Sequence, residues 1–390
     1  MKKNNLIMYP FLIIIFVVFL FVPLKELLIR FNIISFYKTD NWEYVKKSND
    51  KIYDKVMTLE AFIKNRYNNY FPMYNKINSA YYNAIISADK LVYNDIYLKD
   101  NIDNEHIFYN VKNNFFYVVN KFSKEELEER LDKEASFYND IKNKYQDVEL
   151  ALYIPLRYEE TAFKNIDGKN DLINNFLEKL DQNIKYKLFM PENLAEYNEY
   201  YYKTDHHYNA SGALIAYKDI LRMFNIENND ELNIIEVQKP YYGSMAKSTL
   251  LTKVSDTLTS INYKNKLKVN IDDENFKPLE KPVRNNEFYD YYVGYFNGMY
   301  DEIIYENETN YRRNLLIFGD SMSWQLDYLL ATNFDKTYVI NTKYGKWVNN
   351  NLYLDDYIKE NKITHILFLR EAKNLIFDAD NFALDKKVIR

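Results

Sequence analysis

The sequence predicts an α/β fold: a parallel sheet covered by helices on both faces, preceded by a transmembrane helix and a helical segment. Three observations predict it. The last third of the chain alternates short apolar runs with amphipathic ones, the order that builds parallel sheets. Further upstream the amphipathic run "KEELEERLDKEASFYNDIKNKY" leads into an apolar run closed by proline, which implies helix-on-sheet layering. Leu6 to Leu24 is a charge-free apolar run with the ~20 residues a spanning helix needs.

The elements follow in order. Lys2 and Lys3 precede the apolar run, and "KELLIRFNII" follows it where a cleaved leader would show small residues, so the run is expected to stay as an anchor. Lys25 and Arg30 lie just beyond it, and charge alone does not orient it. Trp42 to Asn104 is expected to be mostly helical, with Met57, Leu59, Phe62, Ile63, Tyr67 and Phe71 near helical spacing before Pro72 interrupts. Val148 to Pro155, "VELALYIP", reads as a buried strand. Asn225 to Asn285 is charged and irregular, an expected excursion of loops and short strands. Then come the strand Leu315 to Phe318, the helix "MSWQLDYLLATNF", the strand "KTYVIN", the helix "LYLDDYIKENK" and the strand "THILFLRE". No repeat at solenoid periods is present.

Composition narrows the function classes. A net charge of −5 gives no basic patch for nucleic acid. Cysteine is absent, which removes disulfides and thiolate sites. The 39 Tyr and 25 Phe fit the codon bias of an A/T-rich genome, and also a cleft that stacks on sugar rings.

In such sheets active sites lie beyond the carboxyl ends of the strands, and Gly319, Asp320 and Ser321 stand at one of these ends. Ser321 is either a nucleophile, with its own N–H at a helix start available to an oxyanion, or an ordinary helix cap. Ser323 competes for both roles. Of four histidines, two are adjacent in "TDHHYN", just before the expected helix "ASGALIAYKDILRMF". Asp205 and His207 are two apart, so in an extended segment they project to one side. There a carboxylate can accept from imidazole Nδ1–H and fix the tautomer, which is what a serine nucleophile requires of its base. The same pair can equally be two satisfied or surface imidazoles. Asp-His-His also occurs in manganese phosphoesterases, but those need further aspartates and a Gly-rich motif with His. This chain has seven glycines, no Gly-Gly pair, and no ligand-spaced carboxylates around His106 or His365. No metal and no cofactor are expected.

Taken together, these stretches resemble a known family. "YYKTDHHYNASGALIAY" resembles the Asp-His-His-Trp signature of the bacterial DHHW proteins, which are similar to the alginate O-acetylation proteins of the SGNH/GDSL hydrolase-like group. "LEAFIKNRYNNYFPMYNKI", "LALYIPLR", "YYGSMAKS" and "YYVGYFNGMYDEIIYENE" before "LLIFGDSMSW" resemble further family stretches, in the same order. Two positions depart: Tyr208 replaces the Trp, and Arg157 stands where Lys is usual. The resemblance implies an SGNH-like sheet over residues 41–390, outside the membrane, behind an anchor over residues 1–40. It implies Ser321 as nucleophile, His207 as base and Asp205 as the group that orients it. Gly243 and Ser244 are then oxyanion or substrate candidates, and His206, Tyr208 and Tyr344 substrate candidates. The implied activity is O-acetylation of a cell-surface or secreted polysaccharide through an acyl-serine. The implied partner is a multispanning membrane-bound O-acyltransferase that supplies the acetyl group. An acetyl-esterase with the same triad, or a non-catalytic polysaccharide-binding or assembly factor, is the alternative.

Overall fold

The computed structural model describes residues 86, 95–101, 105–120, 123–227, 232–262, 267–271, 291–296, 302–341 and 354–372, all within the unit Lys76–Arg390. The expected anchor at Leu6 to Leu24, the boundary near residue 41, most of the helical segment after Trp42, and Tyr344 lie outside these residues. Among the described residues no helix is long and apolar enough to cross a membrane.

Strands β1 (Asp95–Asn101), β2 (Glu105–Asn110) and β3 (Phe115–Asn120) form an antiparallel sheet. The end of the stretch expected to be helical is therefore strand. Its apolar residues alternate: Ile96, Leu98, Ile107, Tyr109, Phe116 and Val118 share one buried cluster, the period-two pattern of a half-buried strand. Helix α1 (Lys124–Lys144) opens on a capping box, in which Ser123 Oγ accepts from Glu126 N–H and the Glu126 carboxylate accepts from Ser123 N–H. It buries Leu127, Leu131, Phe137, Tyr138 and Ile141.

The main sheet begins with β4 (Glu149–Pro155), followed by α2 (Lys169–Glu178), β5 (Lys185–Phe189), α3 (Leu194–Tyr200) and α4 (Ala210–Met223). A hairpin-like excursion of β6 (Asn233–Tyr241), α5 (Ser244–Thr249) and β7 (Asp256–Asn262) interrupts it. The chain returns through β8 (Lys268–Ile271), α6 (Tyr291–Phe296), β9 (Glu302–Glu306) and β10 (Asn314–Gly319). It then runs through α7 (Asp327–Ala331), β11 (Lys336–Asn341), α8 (Leu354–Glu360) and β12 (His365–Leu369). The strand order is β5-β4-β12-β10-β11-β9-β8. Pairing is parallel from β5 through β11. β9 is antiparallel to β11, and β8 to β9. The sheet is thus mixed, with a parallel centre, where an all-parallel one is expected from the strand-helix alternation. The two added strands come from the charged, irregular stretch and its sequel, whose short runs carry no strong period.

Both faces are covered, as expected. Alternate strand residues Leu150, Leu152, Leu316, Phe318, Ile366 and Phe368 pack with α1, α2 and α8. Their neighbours Ala151, Tyr153, Leu315, Ile317, Leu367 and Leu369 pack with α4 and α7 on the other side. The three central strands β4, β12 and β10 end side by side, and Arg157, Glu371 and Ser321 follow their ends within two residues.

Helix α1 carries much of one face, so its cap matters. Ser123→Ala should lower stability by about 1 kcal/mol in denaturant unfolding, with little change in the slope.

Candidate active site

Ser321 follows β10 in the expected turn, but the long helix expected after it does not form. The segment breaks into a 3-10 turn, Ser323–Gln325, and the short α7. Asp320 Oδ1 accepts from Met322 N–H at 2.8 Å and holds the turn. Gly319 is required here: a Cβ would meet Ser323 Oγ at 2.3 Å. That close approach tucks Ser323 away, fully buried, with its hydroxyl on Asp327 Oδ2 at 3.2 Å. Ser321 stays partly exposed, and among the described residues its N–H meets no acceptor.

The other half of the site is the loop Tyr201–Tyr208. It is closed by Tyr202 N–H to the His207 carbonyl at 3.1 Å and Asn209 N–H to the Tyr200 carbonyl at 2.8 Å. Asn209 then caps α4 through Ser211 and Gly212 N–H. Asp256, on β7, fixes the loop's middle by accepting from Lys203 N–H, Thr204 N–H and Thr204 Oγ1–H at 3.0, 2.8 and 2.5 Å. These bonds bring His207 Nε2 to 2.8 Å from Ser321 Oγ. The other ring nitrogen, Nδ1, is 3.2 Å from Asp205 Oδ1. Nδ1 thus stands near Oδ1 without a hydrogen bond; catalytic hydrogen bonds are often long or poorly aligned when no substrate is bound.

Asp205 is buried and crowded with donors. Oδ1 accepts from His206 N–H at 2.8 Å and Ser244 Oγ–H at 2.6 Å, and Oδ2 accepts from the Tyr241 hydroxyl. Burial pushes its pKa up, but His207 and His206 outweigh this and hold it well below the usual carboxylate range. Burial, followed by the neighbouring His207, lowers His206 to about 4 against the pull of Glu371, so His206 is neutral near pH 7.

The remaining candidates take roles of a different kind from those expected. Gly243 is not an oxyanion donor in this geometry, because its N–H donates to Thr204 Oγ1 at 3.0 Å. A glycine stands there for space: a Cβ would lie 2.3 Å from Asp205 Cβ and 2.6 Å from the Thr204 carbonyl. Ser244 likewise faces inward, its Oγ between Asp205 Oδ1 and His206 Nδ1 at 3.0 Å. Tyr208 is no wall of the cleft. It is fully buried and its hydroxyl donates to the Met322 carbonyl, tying the histidine loop to the serine turn. Arg157, the other departure, is buried between Glu105 Oε1 and Glu371 Oε2 at 2.9 and 2.5 Å.

Four further residues join the site without having been singled out. Tyr292 on α6 stacks on the His207 ring at 4.0 Å and donates to the Ser321 carbonyl at 3.0 Å. Tyr241, Asp256 and Glu371 are the others. Tyr241 and Tyr292 fall in quoted motif stretches, but among so many tyrosines nothing local marks them. Asp256 and Glu371 lack even that signal, since only the folded chain brings them near the histidines.

Asp205, His206 and His207 also bring ligand atoms within 4.8 Å of one another, a spacing a metal could use. Here those atoms are engaged with Ser321, Ser244, Tyr241 and each other, which suits proton transfer better than coordination.

Comparison with known proteins gives likeness of fold. No protein-family model matches the chain, and no curated protein matches it. A DHHW family protein from Eubacterium siraeum DSM 15702 superposes with TM-score 0.58 at 18% identity, over 75% of this chain and 98% of that one. Bacillus cereus PatB1 with a sulfonyl adduct gives 0.56 at 22%, over 74% and 100%. The O-acetyltransferase domain of Pseudomonas putida AlgJ gives 0.41 at 13%, over 67% and 89%.

The packing makes one sharp expectation. Gly243→Ala should cost about 1–3 kcal/mol of stability, the range for an overpacked core, because the added methyl must displace Asp205; an unchanged unfolding midpoint would contradict this packing. The fold of this chain is that of a DHHW family protein, the family its motifs resemble.

Proposed function

We propose that the chain is an O-acetyltransferase that works through an acyl-serine on Ser321. One observation carries the reading: His207 Nε2 lies 2.8 Å from Ser321 Oγ while its other ring nitrogen faces the buried Asp205. Ser321 Oγ attacks the carbonyl carbon of an acetyl ester as His207 Nε2 takes its proton. The imidazolium formed is stabilised by Asp205. The tetrahedral intermediate collapses, the donor's alcohol leaves with the proton from His207, and an acetyl-serine remains. An acceptor hydroxyl then gives its proton to His207, attacks the acetyl carbon, and Ser321 leaves reprotonated. The Ser321 N–H is the donor best placed for the oxyanion.

The acceptor in this reading is a sugar hydroxyl of a surface or secreted polysaccharide. The motif resemblance to the alginate O-acetylation proteins supports that class. The charge-free run Leu6 to Leu24 supports a membrane anchor, with the domain after about residue 41 outside. The acetyl donor would then be a multispanning O-acyltransferase in the same membrane. Water in place of the sugar turns the same steps into an esterase.

Ser321→Ala and His207→Ala should each cut acetyl transfer by roughly 10³-fold or more, and the double variant should lose little further, because triad members act as a unit. The assay follows acetyl gain on polymer beside acetyl release to water. Full activity in Ser321→Ala would overturn the nucleophile assignment. Release without any gain would make the protein an esterase.

Chelation supplies a second check. Turnover of an acetyl ester should be unchanged by a chelator, since every proton and charge in these steps has a protein group to receive it. Loss on chelation, restored by Mn²⁺ or Zn²⁺, would instead assign Asp205, His206 and His207 to a metal.

A further inference from the structure

Tyr292 on α6 is buried and reaches both partners of the proton transfer. Its ring lies against the His207 imidazole, with centroids 4.0 Å apart and planes 16° from parallel. Its hydroxyl donates to the Ser321 carbonyl at 3.0 Å. Gln325 Nε2, which donates to the Tyr208 carbonyl at 2.8 Å, stands 3.4 Å from the same hydroxyl. Burial pushes the phenol well above its ordinary range, so it keeps its proton and remains a donor. Phe296 and Trp324 pack beside the ring at 4.8 and 5.8 Å.

The stack carries weight because the support in the plane of the imidazole is incomplete. Among the described residues His207 Nδ1 has no hydrogen-bond partner, although Asp205 Oδ1 is 3.2 Å away. Contact with the rings of Tyr292 and of His206, tilted and 3.9 Å away, therefore sets the plane. Asp205, His206 and Tyr292 are the titratable groups seen to face His207. The face of a phenol ring is the negative side of its quadrupole and attracts a cation placed over it. A neutral imidazole gains little from that field and an imidazolium gains more. The attraction thus grows as the Ser321 proton passes to Nε2, and support that grows toward the transition state raises the rate. We infer that Tyr292 is a positioning residue for acyl transfer: its ring stabilises the His207 imidazolium that forms as Ser321 loses its proton, and its hydroxyl holds the serine turn against that ring. The effect on rate rests on the acyl-transfer reading; the attraction to a protonated His207 does not.

Hydroxyl and ring are tested apart. Tyr292→Phe keeps the ring and removes the bond to the Ser321 carbonyl, and its kcat on 4-nitrophenyl acetate should fall about 5-fold, the worth of one hydrogen bond. An unchanged rate would overturn the hydroxyl's part. In that background, phenylalanines carrying one, two or three fluorines are placed at position 292. Fluorine draws charge from the ring face while the shape hardly changes. Both kcat and kcat/KM should fall together with fluorine count, to about 10-fold at three, because the weakened attraction belongs mainly to the transition state. A ring that only fills space would give one rate throughout. Equal rates across the series, with Ser321→Ala inactive, would refute the ring's role and leave the acyl-serine in place. The second measurement needs no turnover. The chain has only four histidines, so nitrogen-15 histidine labelling of the full chain follows the His207 ring as it gains its proton, and His207→Gln assigns the signal. Added fluorines should move that gain stepwise to lower pH; no movement would refute the ring's role whatever the activity. If Ser321→Ala remains active, the acyl-serine reading fails and this titration alone decides. Should Tyr292→Phe fail to fold, fluorinated tyrosines at 292 keep the hydroxyl and allow the same comparison.

Discussion

Taking an ionised carboxylate out of water costs several kcal/mol unless donors replace the solvent, and Asp205 is almost wholly buried. Its His206 N–H, Ser244 hydroxyl and Tyr241 hydroxyl bonds offset that cost, at roughly 1.5–3 kcal/mol for each hydrogen bond to a charged group. The donors come from two separate stretches of chain, the loop before α4 and the segment joining β6 to α5. Asp205 has its full set of donors only when both are in place. Its charge is also what the base needs, so the integrity of this corner and the competence of His207 are one condition.

The excursion between β6 and β7 is therefore part of the site. Gly243 lets α5 close on Asp205, and the Thr204 carbonyl accepts from Met245 and Ala246 N–H. Asp256 holds the far side of the loop. On the serine side, Tyr208 and Tyr292 reach the Met322 and Ser321 carbonyls. Hydroxyls at the ends of rigid rings act here as struts between segments far apart in sequence, and buried tyrosine hydroxyls seek such partners. Some of the tyrosine content thus has a structural use beside any codon bias.

The parallel centre of the sheet was legible because β4, β10, β11 and β12 are continuous apolar runs buried on both faces. The strands β1, β2, β8 and β9 were not legible, because their less exposed residues alternate with more exposed ones instead of forming a continuous apolar run. Asp205, His207 and Ser321 could be ranked from spacing and motif order. The roles of Gly243, Ser244 and Tyr208 could not. Each depends on which group lies opposite, and those groups come from segments tens of residues away or more. Glu371 shows the limit most clearly, since a lone acid after a strand carries no signal until Arg157 and His206 face it.

The most direct measurement of the central claim is chemical. The full chain is incubated with an activated acetyl ester, quenched in acid and mapped by peptide mass spectrometry. The account predicts one acetyl group on the peptide "DSMSW", fragmented to Ser321, absent in Ser321→Ala and greatly reduced in His207→Ala. Acetyl on Ser323, on a histidine or on no residue under conditions of steady turnover would contradict it.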